Sequence, residues 1–293
     1  MVFRFCVAVA VVGSLVVFST YAIGAEWTKR GEYIFNVAGC SLCHTDIKTN
    51  GPALAGGRAL VTPFGSFFST NITLDVTHGI GTWSQADFNR AMRQGKSPNG
   101  TLYFPSFPYP SFTQMSDEDI SDLWKYISTR PTVARPNKPH QLSFPFNLRI
   151  LMWIWRRLFF DEGPFNTNDK MSSAWNRGAY LVRALAHCGE CHTPRNMLGA
   201  VDRQRELGGN PAGVDGKSVP NITPGNLTGI GAWNESEIAD YLSTGMSPDG
   251  DFAGSVMNEV VNQSTSKFTD ADRRAIAVFL KALPAVRLKP TKL

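Results

Sequence analysis

Two short motifs combine residue types that attach and ligate an iron-containing cofactor. Cys40-Ser41-Leu42-Cys43-His44 and Cys188-Gly189-Glu190-Cys191-His192 both read Cys-x-x-Cys-His. Two thiols three positions apart can add to the two vinyl groups on one edge of a porphyrin, and the adjoining histidine then lies under the iron. The sequence therefore predicts two covalently attached haem c groups, with His44 and His192 as iron ligands.

Two other uses of paired cysteines fit these motifs less well. A thioredoxin-type redox site is expected to follow a strand and does not need the adjoining histidine. A zinc site needs four ligands, and each motif supplies three. Two copies, each with its histidine, favour haem attachment over both alternatives.

The chain contains an internal duplication. Asn71-Ile72-Thr73 recurs 150 positions later as Asn221-Ile222-Thr223, and Gly79-Ile80-Gly81 recurs at the same distance as Gly229-Ile230-Gly231. Arg30-Gly31-Glu32-Tyr33 likewise matches Arg177-Gly178-Ala179-Tyr180. Self-similarity on this scale predicts that each copy is one structural unit with its own haem.

A second axial ligand is predicted for one of the two haems. Met257 lies seven residues after Gly250, on a predicted loop before the last helix. A thioether there could reach the haem face opposite His192, which would give His/Met ligation and a raised reduction potential. The equivalent position in the first copy holds Phe107 instead of methionine.

The sixth ligand of the first haem is therefore left open. Met115 is the nearest substitute, but it aligns with Phe268 one residue before a helix cap, which is typical of a hydrophobic staple. Met92 aligns with Leu242 and is expected in the core. The other arrangement is a five-coordinate or water-bound iron. The remaining histidines gain no support from their spacing: His78, His140 and His187.

Each copy shows the same predicted elements. Helices beginning near Trp27 and Trp175 lead into the two motifs, and Gly- and Pro-rich stretches without regular structure follow. Further helices are predicted to start at polar caps with an acidic residue three positions on: Ser84, Asn234, Ser116 and Thr269. This pattern predicts an all-α fold of two tandem class I-like cytochrome c domains with long irregular loops, at 26–130 and 171–293.

Two pairs of repeated residues are expected near the cofactors. Asn71 and Thr73, with their counterparts Asn221 and Thr223, either line the haems or form turns. Trp83 and Trp233 are expected as core residues beside the haems.

Residues 131–170 are predicted to join the two copies. The stretch 130–139 is rich in proline and is typical of a linker, whereas 144–160 is strongly apolar. The apolar stretch either packs between the domains or docks on a membrane or a partner subunit. We favour packing, because domains that exchange electrons need a defined interface.

The first 25 residues are predicted to form a signal peptide. Arg4 is the one charged residue before Glu26, an apolar run follows it, and small residues at 22–25 offer a cleavage site. An uncleaved membrane anchor is the alternative. With a cleaved signal peptide or with an anchor, the rest of the chain is predicted to lie in the periplasm. In either case Cys6 belongs to this N-terminal segment.

Composition bounds the class of protein. The chain has 293 residues, 43% of them hydrophobic, and a formal net charge of +5. This is ample for a packed core and excludes a disordered chain. Haem propionates would offset much of the positive charge, so no nucleic-acid partner is predicted.

The two Cys-x-x-Cys-His motifs, the Asn-Ile-Thr segments and the Gly-Ile-Gly-x-Trp segments resemble those of cytochrome c subunits that serve periplasmic alcohol, gluconate, sorbitol and aldehyde dehydrogenases. The resemblance covers nearly the whole mature chain. It implies a dehydrogenase as electron donor and a cytochrome, quinone or oxidase as acceptor. Several relatives carry three haem motifs, and many place methionine where this chain has Phe107.

These patterns predict an electron carrier without a substrate of its own. A haem enzyme, peroxidase-like or acting on another small molecule at an open sixth site of the first haem, is the alternative. Such an enzyme would also need acid–base groups in the site, and no histidine or acid is obviously placed beside Phe107. A sensor is a third class, but no output domain is recognisable.

Overall fold

The fold was obtained as a computed structural model, which describes residues 28–213 and 216–286. The predicted signal peptide and the predicted helix start near Trp27 lie outside these residues. The described chain is mostly helical, with long irregular loops between short helices. The helices are α1 (28–37), α2 (Cys40–His44), α3 (Gln85–Gln94), α4 (Tyr109–Phe112), α5 (Asp117–Ser128), α6 (Leu151–Phe159), α7 (Ser173–Tyr180), α8 (Gly189–His192), α9 (Glu235–Thr244), α10 (Ser255–Gln263) and α11 (Asp270–Lys281). We call residues 28–130 the first repeat and 171–286 the second repeat.

All four predicted helix caps are confirmed. Ser84 and Asn234 form complete capping boxes with the acidic residues three positions on. Ser116 and Thr269 accept the backbone N–H of the third helical residue. Caps of this kind satisfy backbone donors that the first turn of a helix leaves unpaired, so a local sequence pattern suffices to specify them.

A small antiparallel sheet corrects the prediction that the loops contain no regular structure. Strands β1 (Ala59–Thr62) and β2 (Gly65–Phe68) form a hairpin, and β3 (Gln141–Leu142) pairs with β2. The strand β3 belongs to the predicted linker, so the linker is attached to the first repeat by backbone hydrogen bonds. Two short β-strands do not give enough alternating residues to be recognised from sequence.

The repeated Arg-Gly-x-Tyr motif explains how the first and last helices of each repeat cross. A Cβ atom on Gly31 would lie 2.3 Å from the carbonyl oxygen of Asp122 in α5. A Cβ atom on Gly178 would lie 2.0 Å from the carbonyl oxygen of Ala275 in α11. Only glycine permits so close an approach of two helix backbones, so the motif fixes this crossing in both repeats.

The same motif joins the two repeats by a reciprocal pair of contacts. Arg177 donates to Asp272 of its own repeat at 2.8 and 2.7 Å, and Tyr33 of the first repeat donates to the same carboxylate. In the mirrored arrangement Arg30 donates to Asp119 at 2.6 Å, and Tyr180 of the second repeat donates to Asp119. Each carboxylate therefore binds an arginine from its own repeat and a tyrosine from the other.

One continuous hydrophobic core includes residues of both repeats. Its fully buried members include Ile34 and Leu123 from the first repeat and Leu181 and Phe279 from the second. A second, smaller core cluster lies under the linker and includes Phe67, Leu102, Phe104, Tyr109, Met152, Trp155 and Ala200. The relative position of the repeats is therefore set by buried apolar contacts as well as by the paired carboxylates.

Helix α6 contacts residues of both repeats. Trp155 is buried and donates its indole N–H to the carbonyl of Leu198 at 3.0 Å, whereas Arg156 donates to the carbonyl of Gln94. The opposite face of α6 is exposed, with Trp153 at 61%, Ile154 at 59% and Leu158 at 62%. Among the described residues, no helix is long and apolar enough to cross a membrane.

Candidate haem-binding sites

The histidine of each motif has one ring nitrogen tied to the backbone. His44 Nδ1 lies 2.7 Å from the carbonyl oxygen of Thr70, and His192 Nδ1 lies 2.8 Å from the carbonyl oxygen of Pro220. A carbonyl oxygen only accepts hydrogen bonds, so Nδ1 carries the proton in both rings and Nε2 keeps its lone pair. Burial lowers the pKa of both imidazoles, which favours the neutral form that binds a metal.

The surroundings of the motif cysteines disfavour the thiolate form that a redox site needs. All four are free and half-buried. Burial raises the pKa of Cys40 and of Cys188 to about 12, whereas a thioredoxin-type cysteine has a lowered pKa. Within the described residues, no group of three or more histidine, cysteine, aspartate or glutamate side chains could hold a metal ion. The raised pKa values therefore count against a thioredoxin-type redox site.

A largely apolar cavity adjoins the first motif. It encloses about 1130 Å³ of atom-free space, part of which is open to solvent, and its wall includes Cys40, Cys43 and His44. Trp83 and Ile72 also line it, so Trp83 lies beside the predicted haem as expected. The core residues Phe88 and Leu123 close the cavity from the side of α3 and α5. A large flat apolar cofactor fits this wall.

An unpaired buried donor supports the same assignment. Arg58 is buried, and its Nη2 donates to Glu259 of the second repeat at 2.5 Å. Its Nη1 is buried without a hydrogen-bond partner. Arg58 lies close enough to Cys43 to act on the pKa of that thiol, which burial raises and the guanidinium lowers. Arg58 does not line the cavity itself, but its unpaired Nη1 is a buried donor near Cys43 that an anionic group could accept from.

The cavity wall bears on the sixth ligand of the first haem. Phe107 lines it, as the alignment with Met257 implies. Met115 is fully buried in the main core together with Ile120 and is not part of the wall. Met92 is buried and does line the cavity, although its sequence position indicated only a core residue. The alignment could not distinguish a core position from a wall position.

His140 corrects the expectation that no histidine lies near Phe107. It precedes β3, lines the same cavity, and contacts the rings of Phe67 and Phe104 edge-on. Its Nδ1 accepts the backbone N–H of Phe68 at 3.1 Å. The proton of the neutral ring is therefore on Nε2, the reverse of His44. Burial, followed by the charge of Arg149, lowers the pKa of His140 and keeps the ring neutral.

The Asn-Ile-Thr segments form turns. The side-chain oxygen of Asn71 accepts the N–H and the hydroxyl of Thr73 at 2.9 and 2.8 Å. Asn221 and Thr223 repeat these contacts at 2.8 and 2.7 Å. The side-chain amide of Asn71 donates to Val133, and neither Asn71 nor Thr73 belongs to the cavity wall. The structure thus supports the turn-forming alternative.

Met257 lies in a helix, which corrects the predicted loop. It is half-buried near the start of α10, a helix that packs against α9 and against α2 of the first repeat. Its role as an iron ligand stays a prediction.

The two attachment motifs are neighbours in space. Burial raises the pKa of Cys191 to about 11, and the nearby Cys43 thiol adds to that rise. Glu190, between the cysteines of the second motif, accepts the hydroxyl of Ser111 in the first repeat at 3.0 Å. The arrangement brings the two cofactor attachment edges together.

The chain is 45% identical over 262 residues to a diheme c-type cytochrome from Cereibacter sphaeroides, covering 88% of this chain and 86% of that protein. This chain belongs to the diheme c-type cytochrome family. No family model matches it.

Longer relatives share the same cytochrome region. The fructose dehydrogenase cytochrome subunit of Gluconobacter japonicus is 40% identical over 259 residues, which cover 88% of this chain and 52% of the relative. The gluconate 2-dehydrogenase cytochrome c subunit of Pantoea cypripedii is 38% identical over 269 residues, which cover 88% and 59% respectively. The chain therefore spans about half the length of these dehydrogenase subunits.

These relatives confirm three predictions. The resemblance to cytochrome c subunits of dehydrogenases is confirmed, and so are the two covalent haem c groups. The electron-transfer function is confirmed at the level of the family, whereas the alternative of a peroxidase-like enzyme gains no support.

Proposed function

We propose that this diheme cytochrome is an exported electron-transfer subunit that receives electrons from a partner dehydrogenase. The observation that carries the proposal is the repeated histidine geometry: His44 and His192 both donate Nδ1–H to a backbone carbonyl and keep Nε2 free for a metal. The matching turns and helix crossings support two tandem cytochrome c domains, at 26–130 and 171–293, joined by 131–170.

The residues that would hold each haem follow from this geometry. Cys40 and Cys43 in the first repeat, and Cys188 and Cys191 in the second, would form the thioether bonds. His44 and His192 would donate their Nε2 lone pairs to iron, and Met257 would supply a thioether sulfur to the second haem. Haem c, when bound, supplies one-electron cycling of iron between the ferric and ferrous states.

Two polar side chains in the wall of the first cavity, His140 and Tyr103, are unsuited to acid–base catalysis. A peroxidase-like reaction needs a side chain that takes up a proton from the bound substrate. His140 lines the cavity, but its Nδ1 is occupied by the N–H of Phe68 and its Nε2 carries a proton. Tyr103 also lines the cavity, and burial raises its pKa to about 12, so it stays protonated. Both groups can donate hydrogen bonds, and neither can act as a base near pH 7.

The relatives support a dehydrogenase as donor, since several are named as cytochrome subunits of dehydrogenases. We propose the periplasm as the compartment, and a cytochrome, a quinone or an oxidase as the acceptor.

Purification of the haem-loaded protein with its bound partners from its own periplasm tests this function. We expect a dehydrogenase in the complex, and reduction of both haems when that dehydrogenase receives its substrate. A matched preparation of the Cys188→Ala/Cys191→Ala variant should show reduction of the first haem alone or of none. Haems that no copurified dehydrogenase reduces, together with rapid turnover of added peroxide, would contradict the proposal.

The exposed face of α6 supports association with an anionic membrane surface. Trp153, Ile154 and Leu158 lie on this face, and the exposed Arg157 adjoins it. Arg149 and Arg156 donate to backbone carbonyls of the protein instead. An exposed apolar face that includes tryptophan, with a cationic side chain beside it, is typical of helices that lie in the headgroup region of a bilayer. Trp155 and Arg156 anchor the other face to the protein.

Vesicle binding by the haem-loaded protein tests this surface. We expect binding to vesicles that contain phosphatidylglycerol, weaker binding to phosphatidylcholine vesicles, and loss of binding in Trp153→Ser/Ile154→Ser. Leu227→Ser is the matched control, because Leu227 is 98% exposed but lies in a loop of the second repeat. Unchanged vesicle binding in the double variant would contradict the assignment. So would loss of dehydrogenase binding without any vesicle binding, since the face would then belong to the partner.

A further inference from the structure

His187 has an unusual backbone conformation directly before the second attachment motif. Its φ is +40°, in the left-handed region, whereas the equivalent residue of the first repeat is Gly39, with a φ of +62°. Residues Leu181–Leu185 before it form a π-helical turn. Non-glycine residues in the left-handed region and single π-helical turns both concentrate at functional sites. The second repeat therefore keeps a histidine where glycine would fit more easily.

The side chain of His187 reaches into the other repeat. Its Nε2 lies 3.2 Å from the carbonyl oxygen of Ala38, and because a carbonyl only accepts, Nε2 carries the proton. Its ring meets Phe112 edge-on, with 5.2 Å between the centroids. The same side chain forms part of the wall of the cavity beside His44. Burial lowers the pKa of His187, so the ring is neutral near pH 7.

These contacts make a continuous route between the two attachment segments. From Cys188 the route passes along the backbone to His187, through its imidazole, and across one hydrogen bond to Ala38. From Ala38 the backbone continues through Gly39 to Cys40. The route thus joins the first cysteine of one motif to the first cysteine of the other with a single non-covalent step.

We propose that His187 is a bridging residue that belongs to both haem sites and couples electron exchange between them. The inference rests on the proposed electron-transfer function. With both haems bound, the exchange would transfer one electron from the reduced haem of one repeat to the oxidised haem of the other, and His187 would lie between them. No proton moves and no bond is made or broken, because the imidazole keeps its proton on Nε2 throughout. The backbone of His187 is fixed to the second site, and its ring is fixed in the wall of the first.

Three variants separate bridging from packing. His187→Phe keeps an aromatic ring against Phe112 but removes the N–H donor. His187→Gly copies Gly39 and relieves the positive φ, so it should fold. The matched control is Ser264→Ala, because Ser264 donates its hydroxyl to the neighbouring carbonyl of Val37 at 3.2 Å across the same interface. Ser264 is buried but does not line the cavity.

The measurement is the rate at which the two haems equilibrate after a pulse of reductant, with haem content and thermal unfolding recorded for each variant. We expect His187→Phe and His187→Gly to slow this internal exchange severalfold with both haems still attached, and Ser264→Ala to leave it unchanged. Unchanged exchange in both His187 variants, or equal slowing in Ser264→Ala, would overturn the proposal. A wild-type protein whose haems do not exchange electrons at all would instead count against the proposed function.

Discussion

The two repeats differ in how the rest of the protein covers them. Leu102 and Phe252 occupy equivalent positions, since each ends a bridge with the residue six places earlier, Lys96 or Met246. Leu102 is 4% exposed and belongs to the core cluster under the linker, whereas Phe252 is 73% exposed. The linker strand β3 and helix α6 account for the difference, because they pack over the first repeat.

The two repeats share the contacts that position the histidine of each motif, but they differ in other residues near the motifs. The histidine–carbonyl bonds, the asparagine turns and the helix crossings are the same in both repeats. Other residues differ between the repeats: Phe107, Met92 and His140 line the cavity of the first repeat, and Met257 is the predicted sixth ligand in the second. Unequal ligation is therefore expected to give two haems with unequal reduction potentials.

Removal of one cysteine pair should have the largest effect, because covalent attachment depends on it. Cys40→Ala/Cys43→Ala and Cys188→Ala/Cys191→Ala should each leave one haem per chain, measured as haem absorbance per protein. The spectrum of each variant then belongs to one site. Identical spectra from the two variants would contradict the claim that the two haem sites differ.

Substitutions at the predicted sixth-ligand positions, Met257 and Phe107, should have the second-largest effect. Met257→Leu should abolish the methionine-to-iron charge-transfer absorption and lower the potential of the second haem, because a ligand that favours the ferrous state is lost. Phe107→Met should add the same absorption at the first haem and raise its potential. Met171→Leu, which removes a partly exposed methionine from the start of the second repeat, serves as the control and should change neither.

The reciprocal tyrosine contacts should contribute equally to stability. Tyr33→Phe and Tyr180→Phe each remove a hydrogen bond to a carboxylate, which should lower the free energy of unfolding by about 1–2 kcal/mol at these partly exposed positions. Denaturant titration of the haem-loaded protein measures the change. Tyr241→Phe is the control and should be near neutral. Clearly unequal losses would show that the interface is not symmetric in energy.

The smallest effect is expected in the pH dependence of stability. Burial opposes the charge on Asp272, but hydrogen bonds from Arg177 and Tyr33 outweigh it and hold its pKa below the usual value. Because the folded-state pKa is the lower one, this carboxylate stabilises the fold above a pH of about 4, and the contribution is lost as the pH falls through the folded-state pKa. Asp272→Asn should therefore unfold with a shallower acid dependence than the wild type, measured by circular dichroism. Parallel acid profiles would contradict this.

Local signals in the sequence predicted much of this structure. The helix caps at Ser84 and Asn234 depend on residues three positions apart, so the pattern itself contains the physical cause. The attachment motifs are equally local, since both cysteines and the histidine must reach one cofactor. These features could be predicted without knowledge of the tertiary fold.

Contacts between distant residues could not be predicted in this way. The Arg-Gly-x-Tyr motif is recognisable in the sequence as a repeat. Its function, however, depends on a hydrogen bond from Tyr33 to Asp272, which is 239 residues further along the chain. His140 enters the first cavity because β3 pairs with β2, and a two-residue strand leaves no periodic signal. His187 has no distinguishing spacing, and its role follows from where its ring lies.

The most direct test of the unequal sites is the near-infrared and visible spectrum of the oxidised protein, with carbon monoxide added after reduction. The proposed ligation predicts methionine charge-transfer absorption for one of the two haems, lost in Met257→Leu, and a different spectrum for the other. Methionine absorption of equal strength from both haems, with no carbon monoxide bound, would contradict it.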